Sequence, residues 1–245
     1  MVQRYFIYFS YDGSAYHGWQ IQPNGNSVQA ELQKALFTIL RRHIEVVGAG
    51  RTDTGVHARM MVAHFDDESA QIDGQQLTYK LNRVLPYDIS VLRIIPVDST
   101  MHARFSAQRR TYHYYVHLDR DPFCRFTSYR LYQAPDFELM NKAAQLLLQT
   151  KDFGAFCKSH SDAKTTYCDV TEAQWVQLTA TKWYFKITAN RFLRNMVRAV
   201  VGTLLDVGYG KVTLEAFSEI LNLRSRSNAG ESVPGHALFL EEIEY

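Results

Sequence analysis

The chain has 245 residues, 46% hydrophobic and 21% charged, with a formal net charge of +2. That length suits one large domain or two small ones, with a core that needs no disulfide or structural metal, and the composition excludes a disordered chain. No run of about 18 uncharged apolar residues marks a transmembrane span, the N-terminal segment has no signal-peptide pattern, and three scattered cysteines (Cys124, Cys157, Cys168) point to reduced thiols in a cytoplasmic protein.

Residues 5–11 (YFIYFSY) read as a strand closed by Asp12-Gly13. Ser27 caps a helix that carries Val28, Leu32, Leu36, Ile39 and Leu40 on one face, with Arg41 and Arg42 in its last turn, where cations oppose the dipole. A strand over 44–47 enters a glycine-rich loop, and another follows near 60–65. The next helix uses Leu77, Leu81, Val84 and Leu85 and stops at Pro86; 89–95 returns as a strand. This is a β-α-β-β-α-β order.

No short-period repeat occurs, but the second half repeats that order loosely. Residues 111–118 form a strand, and Asp136 caps a helix bearing Phe137, Met140, Ala144, Leu147 and Leu148. Strands near 170–178 and 183–189 precede helices over 192–207 and 213–223 and a closing strand over 237–243. The expected fold is α+β: two β-α-β-β-α-β-like halves, residues 1–105 and 106–245, with antiparallel sheets.

Charge is informative locally. Residues 101–130 hold six arginines against Asp119 and Asp121, interleaved with Tyr112, His113, Tyr114 and Tyr115, whereas 231–245 hold four acids and no Lys or Arg. Arginine suits phosphate and aromatic rings suit bases, so the basic stretch fits RNA as well as a plain solvated face.

The densest motif is GAGRTDTGVHA, residues 48–58. Its glycines permit tight turns and close approach. It matches neither a dinucleotide fingerprint nor a phosphate-binding Walker loop. What remains is an acid beside an arginine, Arg51-Thr52-Asp53. Asp53 serves either as a turn residue bonded to its own backbone or as a nucleophile or base kept ionised by an arginine. A lone carboxylate suits chemistry at a sugar C1′, where positive charge develops as a glycosidic bond breaks. Arg191, Arg194 and Arg198 are spaced i, i+3, i+7, so they share one helical stripe, while Leu193, Met196, Val197, Val200 and Leu204 form the expected core face.

GRTDTGVHA resembles the catalytic motif of the tRNA pseudouridine synthase A family. YDGSAYHGWQ (11–20) and SVQAELQKAL (27–36) are similar to its N-terminal signature. HARFSA (102–107), with Arg110, Tyr112 and Tyr114 after it, resembles the segment joining its halves, and FLRNMVRAVVGTLLDVG (192–208) its C-terminal helix. The end motif PGHALFL (234–240) departs from the family's, which usually has a second proline and a Glu-Gly before the leucine.

The resemblance implies a pseudouridine synthase fold of two halves flanking a basic central cleft. It implies a homodimer, without cofactor or catalytic metal, that isomerises uridine at positions 38–40 of the tRNA anticodon stem-loop. Asp53 would initiate cleavage of the N1–C1′ bond. Tyr112 would pack on the target base, Arg198 pair with Asp53, Arg51 help eject the target nucleotide, and Leu238 wall the uracil pocket. Arg109, Arg110, Arg191 and Arg194 would meet tRNA phosphate. No role follows for Trp19 and Gln20, though a tryptophan there is more often core than platform.

Two other classes compete: a catalytically silent RNA-binding module built on the β-α-β-β-α-β half, and a nucleoside or glycoside hydrolase. A glycosidase ordinarily needs two carboxylates about 5–10 Å apart, and the motif supplies one. Cys157, His160 and Cys168 lack a fourth partner for zinc, His57 and His64 have no metal-ligand spacing, and no serine-hydrolase elbow occurs.

Overall fold

A strand buried on both faces must be apolar at nearly every position, and the aromatic run at the N-terminus meets that condition. The computed structural model describes residues 2–23, 25–69, 71–158 and 164–245. It divides into two compact units, residues 1–108 with 239–245, and residues 109–238. The sequence reading places 239–245 with the second half, but their strand pairs inside the first unit.

In the first unit, β1 (Gln3–Tyr11) is central, and Tyr5, Phe6, Ile7, Tyr8 and Phe9 are all buried. It pairs antiparallel with β3 (His57–Asp67) on one side and β4 (Ile89–Val97) on the other. The far edge of β3 is shared. β2 (Val47–Gly48) pairs antiparallel at His64 and Ala63, and β9 (Leu238–Glu244) pairs parallel at His57 and Ala58. A wholly antiparallel arrangement is therefore corrected at this edge: the chain returns to it after a long excursion, which is what a parallel pair requires.

Helix α1 (Val28–Leu40) begins where the Ser27 side chain accepts the Ala30 N–H, and Val28, Leu32, Ala35 and Leu36 are buried. It ends before Arg41, which takes a left-handed conformation as the C-cap; Arg41 and Arg42 thus lie beyond its last turn. The strand expected over 44–47 does not form; only Val47 of it enters a strand, the two-residue β2. Gln29 explains this, because its side-chain amide donates to the Val46 carbonyl and replaces a ladder bond. α2 (Gly74–Val84) is capped by Asp73, buries Leu77 and Leu81, and packs on β4.

In the second unit, β5 (Arg109–His117), β8 (Lys182–Ala189) and β7 (Val170–Gln177) form an antiparallel sheet in the order β5-β8-β7. The short β6 (Tyr129–Arg130) runs parallel to β5 at Val116 and His117. α3 (Phe137–Gln149), capped by Asp136, covers β7, and its Asn141 amide bonds both the N–H and the carbonyl of Trp175.

α4 (Met196–Gly208) and α5 (Leu214–Leu223) complete the unit. α4 begins four residues later than its periodicity predicts. Asn195 sits at φ 68° with its side-chain amide on Ser232 Oγ at 2.6 Å, so the helix cannot extend back through it. Arg191 and Arg194 therefore precede the helix, and the three-arginine stripe does not form. α4 is buried nearly all round rather than on one face. Gly202 allows this: a Cβ there would stand 1.8 Å from the Glu231 carbonyl oxygen, so the chain near 231 crosses the helix against bare backbone.

No helix among the described residues is long and apolar enough to cross a membrane. Cys157 and Cys168 are buried, and His160 lies outside the described residues.

Candidate active site

The glycine loop is fastened at Thr52, one residue before Asp53. The Thr52 hydroxyl accepts the Trp19 backbone N–H at 3.1 Å and lies 2.9 Å from the Tyr11 hydroxyl. The Thr52 carbonyl presses on Gly18, where φ is +93° and a Cβ would stand 2.1 Å from that oxygen. Both constraints require glycine at position 18. On the far side of Asp53, the Gly55 N–H donates to the Tyr16 carbonyl at 3.3 Å and the Val56 N–H to the Asp53 carbonyl at 3.2 Å. Asp53 is half-buried and Arg51 is exposed. The aspartate thus stands on a loop tied down on both sides, which is the requirement for a pre-organised group.

Trp19 forms the floor. It is 1% exposed, packs on Phe9 at 5.4 Å, and lies under Gly48, where a Cβ would meet its indole at 2.5 Å. Trp19 is core, as expected. The Gln20 side chain donates to Gln29 Oε1 at 2.9 Å, tying the segment to α1. Thr52, Tyr11 and Gly18 are the supporting residues that sequence reasoning missed. Their signal lay inside the quoted motifs, as a threonine flanking the aspartate and a glycine before the tryptophan.

The loop's exit is held by His57, which is buried and stacks on Phe239 of β9 at 4.4 Å and 16°. Its Nδ1 accepts the Gly13 N–H at 3.0 Å and lies 3.1 Å from Asp12 Oδ1. Burial pushes the Asp12 carboxyl up, but bonds from the Ser14 side chain and N–H, with His57 close by, hold it below the ordinary range. Arg59 reaches over the Phe239 ring at 5.1 Å and meets Glu241 at 3.3 Å. The first contacts of β9 with β3 are thereby clamped beside the loop.

The second unit gathers Tyr112, Arg198 and the start of PGHALFL. Tyr112 on β5 is half-buried, and Phe192 meets its ring edge-on at 5.0 Å. Tyr114, two residues on, is fully buried and donates its hydroxyl to the Pro234 carbonyl at 3.0 Å. Burial raises that hydroxyl far above the usual tyrosine range, so it remains a protonated donor. Arg198 lies in the first turn of α4. Its Nε donates to the Val233 carbonyl at 2.8 Å, and its own carbonyl accepts the Val233 N–H at 3.2 Å. Strand β5 and helix α4 thus grip adjacent residues, Pro234 and Val233, and Leu238 follows, buried, at the start of β9.

The remaining predicted arginines are dispersed over the second unit. Arg109 is exposed on β5, and Arg110 donates to the Asn190 carbonyl at 2.8 Å. Arg191 donates to Thr165 Oγ1 at 3.1 Å, and Arg194 is exposed in the turn before α4.

A family model described as tRNA pseudouridine synthase matches residues 7–106 and 143–245. Relatives match over the whole length. The tRNA pseudouridine synthase A of Bacteroides thetaiotaomicron is 55% identical over 246 residues, covering 100% of this chain and 91% of that protein. That of Porphyromonas gingivalis is 51% identical, covering 100% and 98%. The Bacillus subtilis protein of the same name is 38% identical, covering 96% of each.

Proposed function

The chain belongs to the tRNA pseudouridine synthase family, and from that premise we propose that it isomerises uridine at positions 38–40 of the tRNA anticodon stem-loop, with Asp53 starting the reaction. The observation that carries this reading is the double fastening of the Asp53 loop to the segment before α1, through Thr52 on one side and Gly55 on the other. A carboxylate used only as a turn residue needs no such scaffold.

The reaction breaks N1–C1′, turns the detached uracil, and forms C5–C1′. N1 gains a proton and C5 loses one, so the change is an isomerisation with no net redox and no call for a cofactor. Attack on the sugar, attack on the base and removal of a sugar proton are each within a carboxylate's chemistry and begin from the same group. Tyr112 offers a ring face for the uracil and a hydroxyl for the C5 proton. Arg198 serves the Asp53 carboxylate and Arg51 helps eject the nucleotide, both on the resemblance. Leu238 supplies an apolar wall, and Arg109, Arg110, Arg191 and Arg194 serve phosphate. The protein acts in the cytoplasm as a homodimer on the same ground.

Tritium release from C5-labelled uridine in an unmodified tRNA transcript tests the reading. Wild-type protein releases tritium, and Asp53→Ala abolishes release while retaining tRNA binding. Turnover by Asp53→Ala would sink the mechanism. Mapping the product checks positions 38–40. Tyr112→Phe keeps the ring and removes the hydroxyl: lost turnover with normal binding assigns proton transfer to Tyr112, and unchanged turnover leaves it stacking alone.

A further inference from the structure

The loop joining β5 to β6 is braced by one carboxylate. Asp121 accepts the Phe123 N–H at 2.9 Å, the Lys182 ammonium at 2.7 Å and the Cys124 thiol at 3.1 Å. Lys182 belongs to β8, so the bond ties the loop to the sheet. The braced turn presents aromatic rings to solvent: Phe123 is 91% exposed, Phe126 53%, and Tyr132, just past β6, 85%. Arginines accompany them. The Arg125 guanidinium lies 4.4 Å from the Phe126 ring centre and that of Arg130 4.9 Å from the Tyr132 ring, while Arg120 and Arg125 are exposed.

Single exposed apolar side chains are ordinary, but three aromatic rings exposed within residues 123–132 on one braced turn are the kind of apolar display that marks an interaction site. The spacing of charge indicates which kind. Aromatic rings and arginine are both enriched at protein–protein interfaces, so the rings alone do not choose the partner; the local excess of positive charge does. Across residues 119–132, Arg120, Arg125 and Arg130 outnumber Asp119 and Asp121, and Asp121 is already neutralised by Lys182. Rings that accept stacked bases, between guanidinium groups that accept phosphates, match an RNA strand with unstacked bases.

We propose that this loop is an additional RNA contact of the enzyme, in which Phe123 and Phe126 stack on unpaired bases of tRNA other than the target uridine while Arg120 and Arg125 meet the adjoining phosphates. The choice of tRNA as the strand rests on the proposed function. The rings set affinity and the arginines set its salt dependence.

The test compares full-length wild-type protein with Phe123→Ala, Phe126→Ala, the double variant, Phe123→Trp and Arg125→Ala. Dissociation constants for an unmodified tRNA transcript are measured at two salt concentrations, with sedimentation velocity on each protein. The expected result is a loss of about 5- to 150-fold per stacking ring removed, retained affinity in Phe123→Trp, and a shallower salt slope in Arg125→Ala. Unchanged affinity in the double variant overturns the proposal. So does weakened binding that coincides with a changed oligomeric state, because the loop then joins two copies of the chain. The proposed function fails separately, if wild-type protein binds tRNA but releases no tritium.

Discussion

Thr52→Val isolates the anchor of the Asp53 loop. Valine keeps the branched shape and removes the oxygen that accepts the Trp19 N–H at 3.1 Å and meets the Tyr11 hydroxyl at 2.9 Å. Each such bond contributes about 1 kcal/mol net, and a buried N–H left without its acceptor costs about 1–3 kcal/mol. If the loop stays in place, the variant loses about 2–4 kcal/mol, read as a lower urea midpoint at unchanged slope. If the loop instead lifts off its floor, stability is spared and the aspartate moves. A displacement of about 1 Å costs on the order of 100-fold in rate, read by single-turnover tritium release. Thr52→Ser restores the hydroxyl and recovers most of either loss. A Thr52→Val protein with the wild-type midpoint and a rate within about twofold of wild type would refute the claim that this hydroxyl positions Asp53.

Two further perturbations probe the same unit. Gly18→Ala places a Cβ 2.1 Å from the Thr52 carbonyl at a backbone φ of +93°; left-handed strain and overpacking together cost about 2–5 kcal/mol, and a wild-type melting profile would contradict the required close approach. His64 is 5% exposed, and its Nδ1 accepts the Ala103 N–H at 3.1 Å, so the ring is held neutral. Burial first, then His102 and Arg4, lowers its pKa from 6.5 to about 4, against Asp66, which raises it. Stability from this site is therefore complete above about pH 6.5 and declines as the pH falls toward 4, because the unfolded chain binds the proton first. The shift bounds the loss at about 3 kcal/mol, or about 1–2 after solvent screening. Urea unfolding at pH 7 and pH 4.5 should show His64→Gln losing less than wild type by that amount, and equal losses would show that the ring's neutrality is not what the fold requires.

What the sequence determined by itself was local. Ser27 and Asp136 each cap the helix that follows, because a cap is a bond between residues two or three apart. The aromatic run of β1 and the apolar spacing of α1 and α3 mark buried faces through periodicity alone. The Asp53 loop was likewise legible as a motif, since its glycines, arginine and aspartate lie within a few residues of one another. What only the tertiary structure decided joins residues distant in the chain. Gln29 satisfies Val46 and cuts β2 short; Asn195 bonds Ser232 and delays α4, which removes Arg191 and Arg194 from the helix; β9 returns to run parallel beside β3. The floor under Asp53 is of the same kind, made by Tyr11, Gly18 and Trp19, some thirty to forty positions before Thr52. Spacing along the chain encodes a helix face, but a backbone group satisfied from afar leaves no periodic trace in either segment. It exists only when folding has brought both partners together and excluded the water that each would otherwise bond.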